Sequence, residues 1–320
     1  MAPEDRGARE RLMGTEILLA ALGTAHQAQV FGWLGAVERT FSRFTTDSDT
    51  TRVNSAGGRP TEVAPMFAAA LAEACAHCER TGGLFDPFLA ADMERIGYDR
   101  DFALIAAEGV AGSGHTAAPP RAPRGTGAPR VEIDHDRHTV TLSPGLHVDL
   151  GGFVKGWSVQ QAADALRRGG APRGLIDAGG DIAAWRTRDD PPWRIGVEHP
   201  LTGATAAELT LAPATSVATS SIARRTWQGA DGTPVHHLLD PRTGAPAVSD
   251  CAQATVFASD LGAAEVYATC LVLLGTGDGP DLLADLDATA AWMTVDRDGR
   301  VRPSPNLDLH CHEAAFDDPS

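Results

Sequence analysis

Short segments with strand-like alternation follow one another through the second half of the chain, and only a few long helical segments interrupt them. A hairpin is predicted over residues 131–142, because apolar and polar residues alternate on both sides of a polar turn. Further strands are predicted at residues 175–185, 193–197, 207–211, 216–219 and 290–295. Helices are predicted at residues 30–42, 65–78, 155–168 and 261–274. The pattern indicates an α+β fold with mainly antiparallel sheets packed with a few long helices.

Composition limits the kinds of partner that the chain can bind. Hydrophobic residues make up 43% and charged residues 22% of the chain, and its formal net charge is −15. A chain with this much negative charge is not expected to bind the negatively charged backbone of a nucleic acid. No apolar run reaches the ~18 residues of a membrane span, so we expect no membrane insertion. We see neither a signal peptide nor a lipidated cysteine, which predicts a cytoplasmic location.

Residues 109–130 divide the chain into an earlier and a later part. They are mostly Gly, Ala, Pro, Ser, Thr and Arg without periodicity, which is typical of a flexible insertion. We predict that residues 13–305 form a single domain that carries this insertion. Residues 1–12 are then expected to be an N-terminal tail, and residues 306–320 a C-terminal tail.

Lys155 is the only lysine among the 27 Lys and Arg residues of the chain. An ammonium is more compact and more strongly hydrated than a guanidinium, so a position that keeps Lys in an Arg-rich chain is a candidate for function. Lys155 follows a Gly-Gly pair and opens a predicted helix, where backbone N–H groups favour a phosphate. Two structural alternatives remain open: a surface lysine left by chance and an ordinary glycine turn.

His236 and His237 stand directly before a strong turn signal at residues 240–244. A histidine at the end of a strand, with its ordinary pKa near neutrality, can take a proton from a reacting group. Alternatively, the pair only stabilises the turn.

Glu265 and Thr269 are four residues apart in a predicted helix. At this spacing they share one helix face and offer two hard oxygen ligands, which suit Mg²⁺. A pair at this spacing can also be only the polar face of a helix.

Eight segments of the chain occur in an order that resembles a known family. They are residues 13–15, 41–54, 82–87, 149–156, 177–181, 218–220, 237–244 and 264–269. Together they resemble the FAD:protein FMN transferases of the ApbE-like family, formerly described as thiamine-biosynthesis lipoproteins. The resemblance implies a T-fold-related architecture.

The resemblance also implies FAD as substrate and a bound Mg²⁺. The residues that would line the FAD site are Met13, Phe44, Leu84, Phe85, Asp86, Asp149, Lys155, Leu238 and Ala268. The metal would be held by the backbone carbonyl of Gly152 and by the side chains of Glu265 and Thr269. His237 and Lys155 would be catalytic, with His237 as the base, and Asn54 matches a position that helps decide whether FAD is hydrolysed or held.

The implied reaction splits FAD, attaches FMN by a phosphoester to a Thr of a target protein and releases AMP. The acceptor motif in such targets resembles Asp-Gly-x-Ser/Thr-Gly-Ala/Ser-Thr. Three positions depart from the family pattern: Glu265 and Gln160 stand where Asp is usual, and Ser221 stands where Gly is usual. The alternative is therefore a FAD-binding protein, or a FAD pyrophosphatase that yields FMN and AMP without transfer to a protein.

Overall fold

The computed structural model describes residues 7–108, 131–229 and 232–316. They divide into two compact units, where the sequence predicted one domain. The first unit consists of the described parts of Met1–Gly35, Lys155–Arg224 and Ser249–Ser320, and the second of those of Ala36–Val154 and Arg225–Val248. The predicted insertion at residues 109–130 lies outside the described residues.

Antiparallel strands and seven helices make up the described regular structure. The helices are α1 (Thr24–Phe41), α2 (Asp49–Asn54), α3 (Pro65–Arg80), α4 (Ala90–Arg95), α5 (Phe102–Glu108), α6 (Val154–Arg168) and α7 (Leu261–Leu286). The strands are β1 (Ala8–Leu12), β2 (Thr15–Ala20), β3 (Thr61–Glu62), β4 (Val131–Asp134), β5 (Thr139–Leu142), β6 (Gly174–Ala178), β7 (Ile182–Trp185), β8 (Arg194–Glu198), β9 (Thr205–Leu211), β10 (Ala214–Ser221), β11 (Thr226–Gln228), β12 (Pro234–His236), β13 (Leu239–Asp240), β14 (Ala245–Pro246), β15 (Cys251–Ala258), β16 (Ala291–Asp296), β17 (Val301–Pro303) and β18 (Cys311–Phe316). The predicted α+β class is confirmed.

An eight-stranded antiparallel sheet forms the centre of the first unit, in the order β1-β2-β6-β7-β10-β15-β16-β17. A second sheet contains β8, β9 and β18, with β9 in the middle. Ala8–Leu12 and Cys311–Phe316 therefore belong to sheets, whereas the sequence predicted tails at both ends. The predicted strand at residues 175–185 is a hairpin, because Gly179 and Gly180 have φ values of 68° and 100° and turn the chain between β6 and β7.

Strand β15 and helix α7 carry the core of the first unit. All eight residues of β15 are buried, and α7 packs against both β15 and β10. Phe257 of β15 lies in an apolar cluster with Val217, Leu209 and Met293. The predicted helix 261–274 corresponds to the first part of α7, since the helix kinks at Gly275, where φ is 84°.

The second unit contains helices α2 to α5, a three-stranded sheet and two short hairpins. The three-stranded sheet has the order β3-β5-β4, which confirms the hairpin predicted over residues 131–142. Tyr98, Ile105 and Trp227 form a small apolar cluster. Among the described residues of both units, no helix is long and apolar enough to span a membrane.

Candidate active site

In the first unit, the sole lysine is held beside two carboxylates. Lys155 is the second residue of α6, and its Nζ forms an ion pair with the Asp181 carboxylate. Nζ also lies 3.7 Å from Oε1 of Glu265 on α7. The Asp181 side chain is 3% exposed and that of Lys155 is 17% exposed. Because water is largely excluded, the attraction is stronger than that of a surface pair, and the ammonium is fixed in position.

Glu265 also anchors the first turn of α6. The backbone N–H of Gly156 donates to Oε2 of Glu265 at 2.8 Å. This N–H has no partner within its own helix, since the first N–H groups of a helix lack an acceptor one turn earlier. The carboxylate therefore joins α7 to the residue next to Lys155.

Only glycine fits at position 156. A Cβ atom built there would lie 2.8 Å from the carbonyl oxygen of Leu261 and 2.9 Å from Oε2 of Glu265. The first of these atoms belongs to the backbone and cannot rotate away. Close approach of α6 to α7 therefore requires the absence of a side chain at Gly156.

We expect Gly156→Ala to destabilise the protein by about 1–3 kcal/mol, because the methyl group would force the two helices apart. The free energy of unfolding in urea measures this effect. Gly32→Ala in α1 is the matched control: a Cβ there has no neighbour within 4 Å, and alanine is the better helix former. Equal stabilities of the two variants would contradict the close packing at Gly156.

One turn after Glu265, helix α7 carries a hydroxyl group that pairs with a hydroxyl of the central sheet. Oγ1 of Thr269 on α7 and Oγ of Ser220 on β10 are 3.1 Å apart and share a hydrogen bond. Carboxylate and hydroxyl oxygens are hard donors of the kind that Mg²⁺ prefers, so these residues fit a magnesium ion. Within the described residues, no group of three or more His, Cys, Asp and Glu side chains could hold a metal. A cation at Glu265 would therefore depend on hydroxyl, backbone, water or substrate oxygens.

Asp181 was not assigned a role from the sequence, although residues 177–181 were singled out. Its Oδ1 accepts a hydrogen bond from the backbone N–H of Thr219 at 3.2 Å, which fixes the carboxylate directly before β7. Asp177, at the other end of the same turn, accepts from the N–H of Gly180 at 2.8 Å. Burial raises the pKa of the Asp177 carboxyl above its ordinary value. The sequence alone could not show that Lys155 pairs with Asp181, because this contact depends on the hairpin formed by β6 and β7.

Two further residues that the resemblance assigned to FAD also lie in the first unit. Met13 is in the two-residue turn between β1 and β2, with a φ of 52°, and Gly14 follows with a φ of 70°. This is the left-handed turn geometry that tight hairpins favour, although methionine adopts it at some energetic cost. Sδ of Met13 lies 4.0 Å from the Ser158 hydroxyl on α6. Ala268 is fully buried within α7.

In the second unit, Asp149 and Phe44 both contact the buried side chain of Arg43. Nε of Arg43 lies 3.1 Å from Oδ2 of Asp149, and the Arg43 side chain is 9% exposed. The guanidinium stacks on Phe44 and Tyr98, with 4.3 Å and 4.6 Å to the two ring centroids. Oδ1 of Asp149 accepts from the N–H of Gly151 at 2.8 Å. Phe44 itself is 40% exposed and presents an aromatic ring to solvent.

Sequence reasoning did not find Arg43. It is one of 26 arginines, the 27 basic residues less Lys155, and composition gives it no prominence. Its position one residue before Phe44 was the only available signal.

The remaining predicted residues of the second unit are held by backbone contacts. Leu84, Phe85 and Asp86 are buried in the loop after α3. The Asn54 amide exchanges two hydrogen bonds with the backbone of Val148, at 2.9 Å and 2.7 Å. Asn54 therefore fixes the segment that leads to Asp149. Gly152, also in this unit, is exposed.

His237 is half-buried in the bend between β12 and β13, and Leu238, which follows it, is buried. The predicted turn at residues 240–244 is confirmed, since the Gly244 N–H donates to the Asp240 carbonyl oxygen at 2.7 Å. His236 behaves differently from its neighbour: its Nε2 lies 3.1 Å from the Ala247 carbonyl oxygen and so braces the turn.

Comparison with known proteins gives the family. The ApbE family model matches residues 13–293. The chain belongs to the ApbE family. A relative named FAD:protein FMN transferase from Treponema pallidum is 29% identical over 296 residues, which cover 87% of this chain and 79% of that protein. A relative of the same name from Rhodobacter capsulatus is 26% identical over 262 residues, which cover 79% of this chain but only 46% of that protein.

Solved ApbE structures share this fold. The crystal structure of the ApbE protein from Thermotoga maritima superposes with a TM-score of 0.80 at 24% identity, over 95% of this chain and 98% of that one. The flavin transferase ApbE from Vibrio cholerae gives a TM-score of 0.73 at 22% identity. The relatives named above are flavinyltransferase enzymes by name.

Two departures from the ApbE pattern have structural explanations. Oε1 of Gln160 accepts from the Leu261 N–H at 2.9 Å, so the amide caps the first residue of α7, and it also accepts from Ser216 Oγ at 3.1 Å. The Ser221 hydroxyl donates to the Ala252 carbonyl oxygen at 3.2 Å. Both side chains thus satisfy backbone groups of their own unit.

Proposed function

We propose that this chain is a Mg²⁺-dependent FAD:protein FMN transferase, which attaches FMN by a phosphoester to a Thr of a target protein and releases AMP. The names of its relatives support FAD and a protein acceptor. The observation that carries the proposal is the ammonium of Lys155, fixed at the start of α6 beside Glu265. An immobile cation at a helix N-terminus suits a pyrophosphate, whose transfer chemistry depends mainly on positioning and charge stabilisation.

The reaction forms one P–O bond and breaks another. The Thr hydroxyl oxygen of the target attacks the phosphorus on the FMN side, and the bond from that phosphorus to the bridging oxygen breaks. AMP leaves with the bonding electron pair. We propose that His237 takes the proton of the attacking hydroxyl, because a Thr hydroxyl is a weak nucleophile without a base. Lys155 offsets the negative charge that develops on the phosphate oxygens.

Glu265 and Thr269, with the Gly152 carbonyl, are the proposed holders of Mg²⁺. Bound there, the ion would supply charge neutralisation to the phosphate oxygens. The proposed FAD-lining residues are Met13, Phe44, Leu84, Phe85, Asp86, Asp149, Lys155, Leu238 and Ala268. The exposed ring of Phe44, supported by Arg43, is suited to stacking on a flat aromatic group.

A second candidate is a FAD pyrophosphatase, in which water replaces the Thr hydroxyl. The observation behind it is Glu265, which stands where the family resemblance implies Asp and whose Oε2 accepts the Gly156 N–H at 2.8 Å. Both functions use FAD and the metal, and both release AMP. They differ in the fate of FMN, which becomes bound to a protein in the transfer reaction and is released free in the hydrolysis.

The experiment follows both products. The purified protein is incubated with FAD, Mg²⁺ and a synthetic peptide of sequence Asp-Gly-Ala-Ser-Gly-Ala-Thr, and AMP and peptide-bound flavin are measured by chromatography and fluorescence. A peptide that ends in Val is the matched control. AMP with flavin on the Thr peptide alone supports the transferase; AMP with free FMN supports the pyrophosphatase. No AMP from FAD and Mg²⁺ contradicts both.

A further inference from the structure

Three charged side chains, Lys155, Asp181 and Glu265, form what we call the Lys155 cluster. Two carboxylates and one ammonium give the cluster a net charge of −1. Asp181 is the nearer partner of the ammonium, and Glu265 lies 3.7 Å away. As it stands, the cluster offers no net attraction to an anion, although it contains the only lysine of the chain.

Asp181 is held in place independently of the lysine. Its Oδ1 accepts from the Thr219 N–H on β10, and its side chain is 3% exposed. A buried carboxylate is unfavourable unless it is paired, so Asp181 and Lys155 stabilise each other's charged forms. No step of the proposed reaction uses Asp181 directly. Its effect must therefore act through Lys155.

We propose that Asp181 is a positioning residue that offsets the charge of Lys155 and so weakens FAD binding in the absence of the metal. A divalent cation held by Glu265 changes the charge of the cluster region from −1 to +1. The site then attracts the pyrophosphate of a dinucleotide more strongly. This inference rests on the proposed function, since it takes FAD and Mg²⁺ as the ligands.

The direction in which metal-free FAD affinity changes when Asp181 is neutralised distinguishes a charge-offsetting role from a purely structural one. If Asp181 only maintained the local fold, its neutralisation would weaken FAD binding with and without metal. If it offsets Lys155, its neutralisation leaves the ammonium uncompensated, and FAD binds more tightly in the absence of metal. Coupling between two ligands is reciprocal, so the factor by which Mg²⁺ tightens FAD must equal the factor by which FAD tightens Mg²⁺.

The test measures FAD binding by flavin fluorescence, once with a chelator and once with Mg²⁺. For the unaltered protein we expect FAD to bind roughly tenfold tighter with Mg²⁺, within the usual range of such coupling. Asp181→Asn raises the charge of the cluster by one unit with and without the metal, so it should tighten metal-free binding by about tenfold and leave the coupling factor near that of the unaltered protein. Asparagine keeps an oxygen that can accept the Thr219 N–H, so the variant preserves that contact. Calorimetric titration of Mg²⁺ with and without FAD checks the reciprocal factor.

Three variants control the result. Asp177→Asn removes a charge from the same turn but leaves the ion pair of Lys155 with Asp181 in place, so we expect a smaller change. Asp181→Glu keeps the charge and should keep the metal-free FAD affinity of the unaltered protein. Adding Lys155→Met to Asp181→Asn should remove the gain in metal-free binding, because the gain requires the ammonium.

Unchanged or weaker metal-free binding of Asp181→Asn overturns the inference, and so does the absence of Mg²⁺–FAD coupling in the unaltered protein. If the unaltered protein fails to bind FAD even with Mg²⁺, the proposed function falls as well. If it binds FAD with Mg²⁺ coupling but Asp181→Asn does not tighten metal-free binding, only the role of Asp181 is wrong.

Discussion

Lys155→Arg is expected to lower the rate of AMP release from FAD by roughly 100- to 1,000-fold, the range found when one group that stabilises transition-state charge is removed. Arginine keeps the positive charge, but its planar head is wider than an ammonium. The Lys155 Nζ is enclosed by Asp181 and by Glu265, which is itself tied to Gly156. A guanidinium cannot take the same place without moving one of these carboxylates.

The control for this variant is the opposite substitution, arginine to lysine, in an exposed ion pair. Arg224 lies 3.0 Å from Glu198, and both side chains are more than half exposed, at 60% and 58%. Arg224→Lys should leave AMP release and thermal unfolding almost unchanged, because exposed ion pairs contribute little. If Lys155→Arg turns over FAD at the parent rate, the single lysine has no special role.

Glu265→Gln is expected to reduce Mg²⁺-dependent AMP release by roughly 100-fold or more, since a lost metal ligand removes several kcal/mol of charge stabilisation. The amide oxygen of glutamine can still accept the Gly156 N–H, so the contact between α6 and α7 remains. We therefore expect the free energy of unfolding to change by less than about 1 kcal/mol. Activity and urea unfolding are measured on the same preparation.

Glu198→Gln, at a side chain that is 58% exposed, is the matched control for the loss of one carboxylate. It should not alter AMP release. Parent activity in Glu265→Gln would place the metal elsewhere, and a large loss of stability would mean that the charge of Glu265, and not only its oxygen, holds the two helices.

The sequence predicted the elements whose signals are local. Helix α6 is predicted from its glycine boundaries, and the structure ends it at Arg168, directly before Gly169 and Gly170. Helix α3 begins at Pro65 as predicted, because proline is favoured in the first turn. The turn at residues 240–244 is also confirmed. In each case the residues that decide the structure are neighbours along the chain.

Strand β15 was missed because its signal is not local. It lies between β10 and β16 and is buried on both faces, so its polar residues Gln253 and Thr255 do not mark a solvent-facing side. Strand β1 was missed for the opposite reason. It is an edge strand rich in charge, which protects a sheet edge but gives a sequence the character of a tail.

The same distinction applies to the candidate site. Lys155 was found because it is unique in composition, and Glu265 and Thr269 because they share a helix face. Asp181 could not be assigned, since its contact with Lys155 depends on how β6, β7 and β10 pair. Arg43 likewise gained importance only when its stacking on Phe44 and Tyr98 became visible.

The pairing of β18 with β9 determines where the protein can be shortened. Cys311 of β18 lies opposite Leu211 and belongs to the same apolar cluster. β18 is an exposed edge strand, and a chain that ends at residue 305, the boundary predicted from the sequence, would make the more buried and more apolar β9 the edge in its place. Exposed strand edges of this kind recruit other chains. The C-terminal strand therefore reduces self-association, and an affinity tag should be attached after β18 and should not replace it.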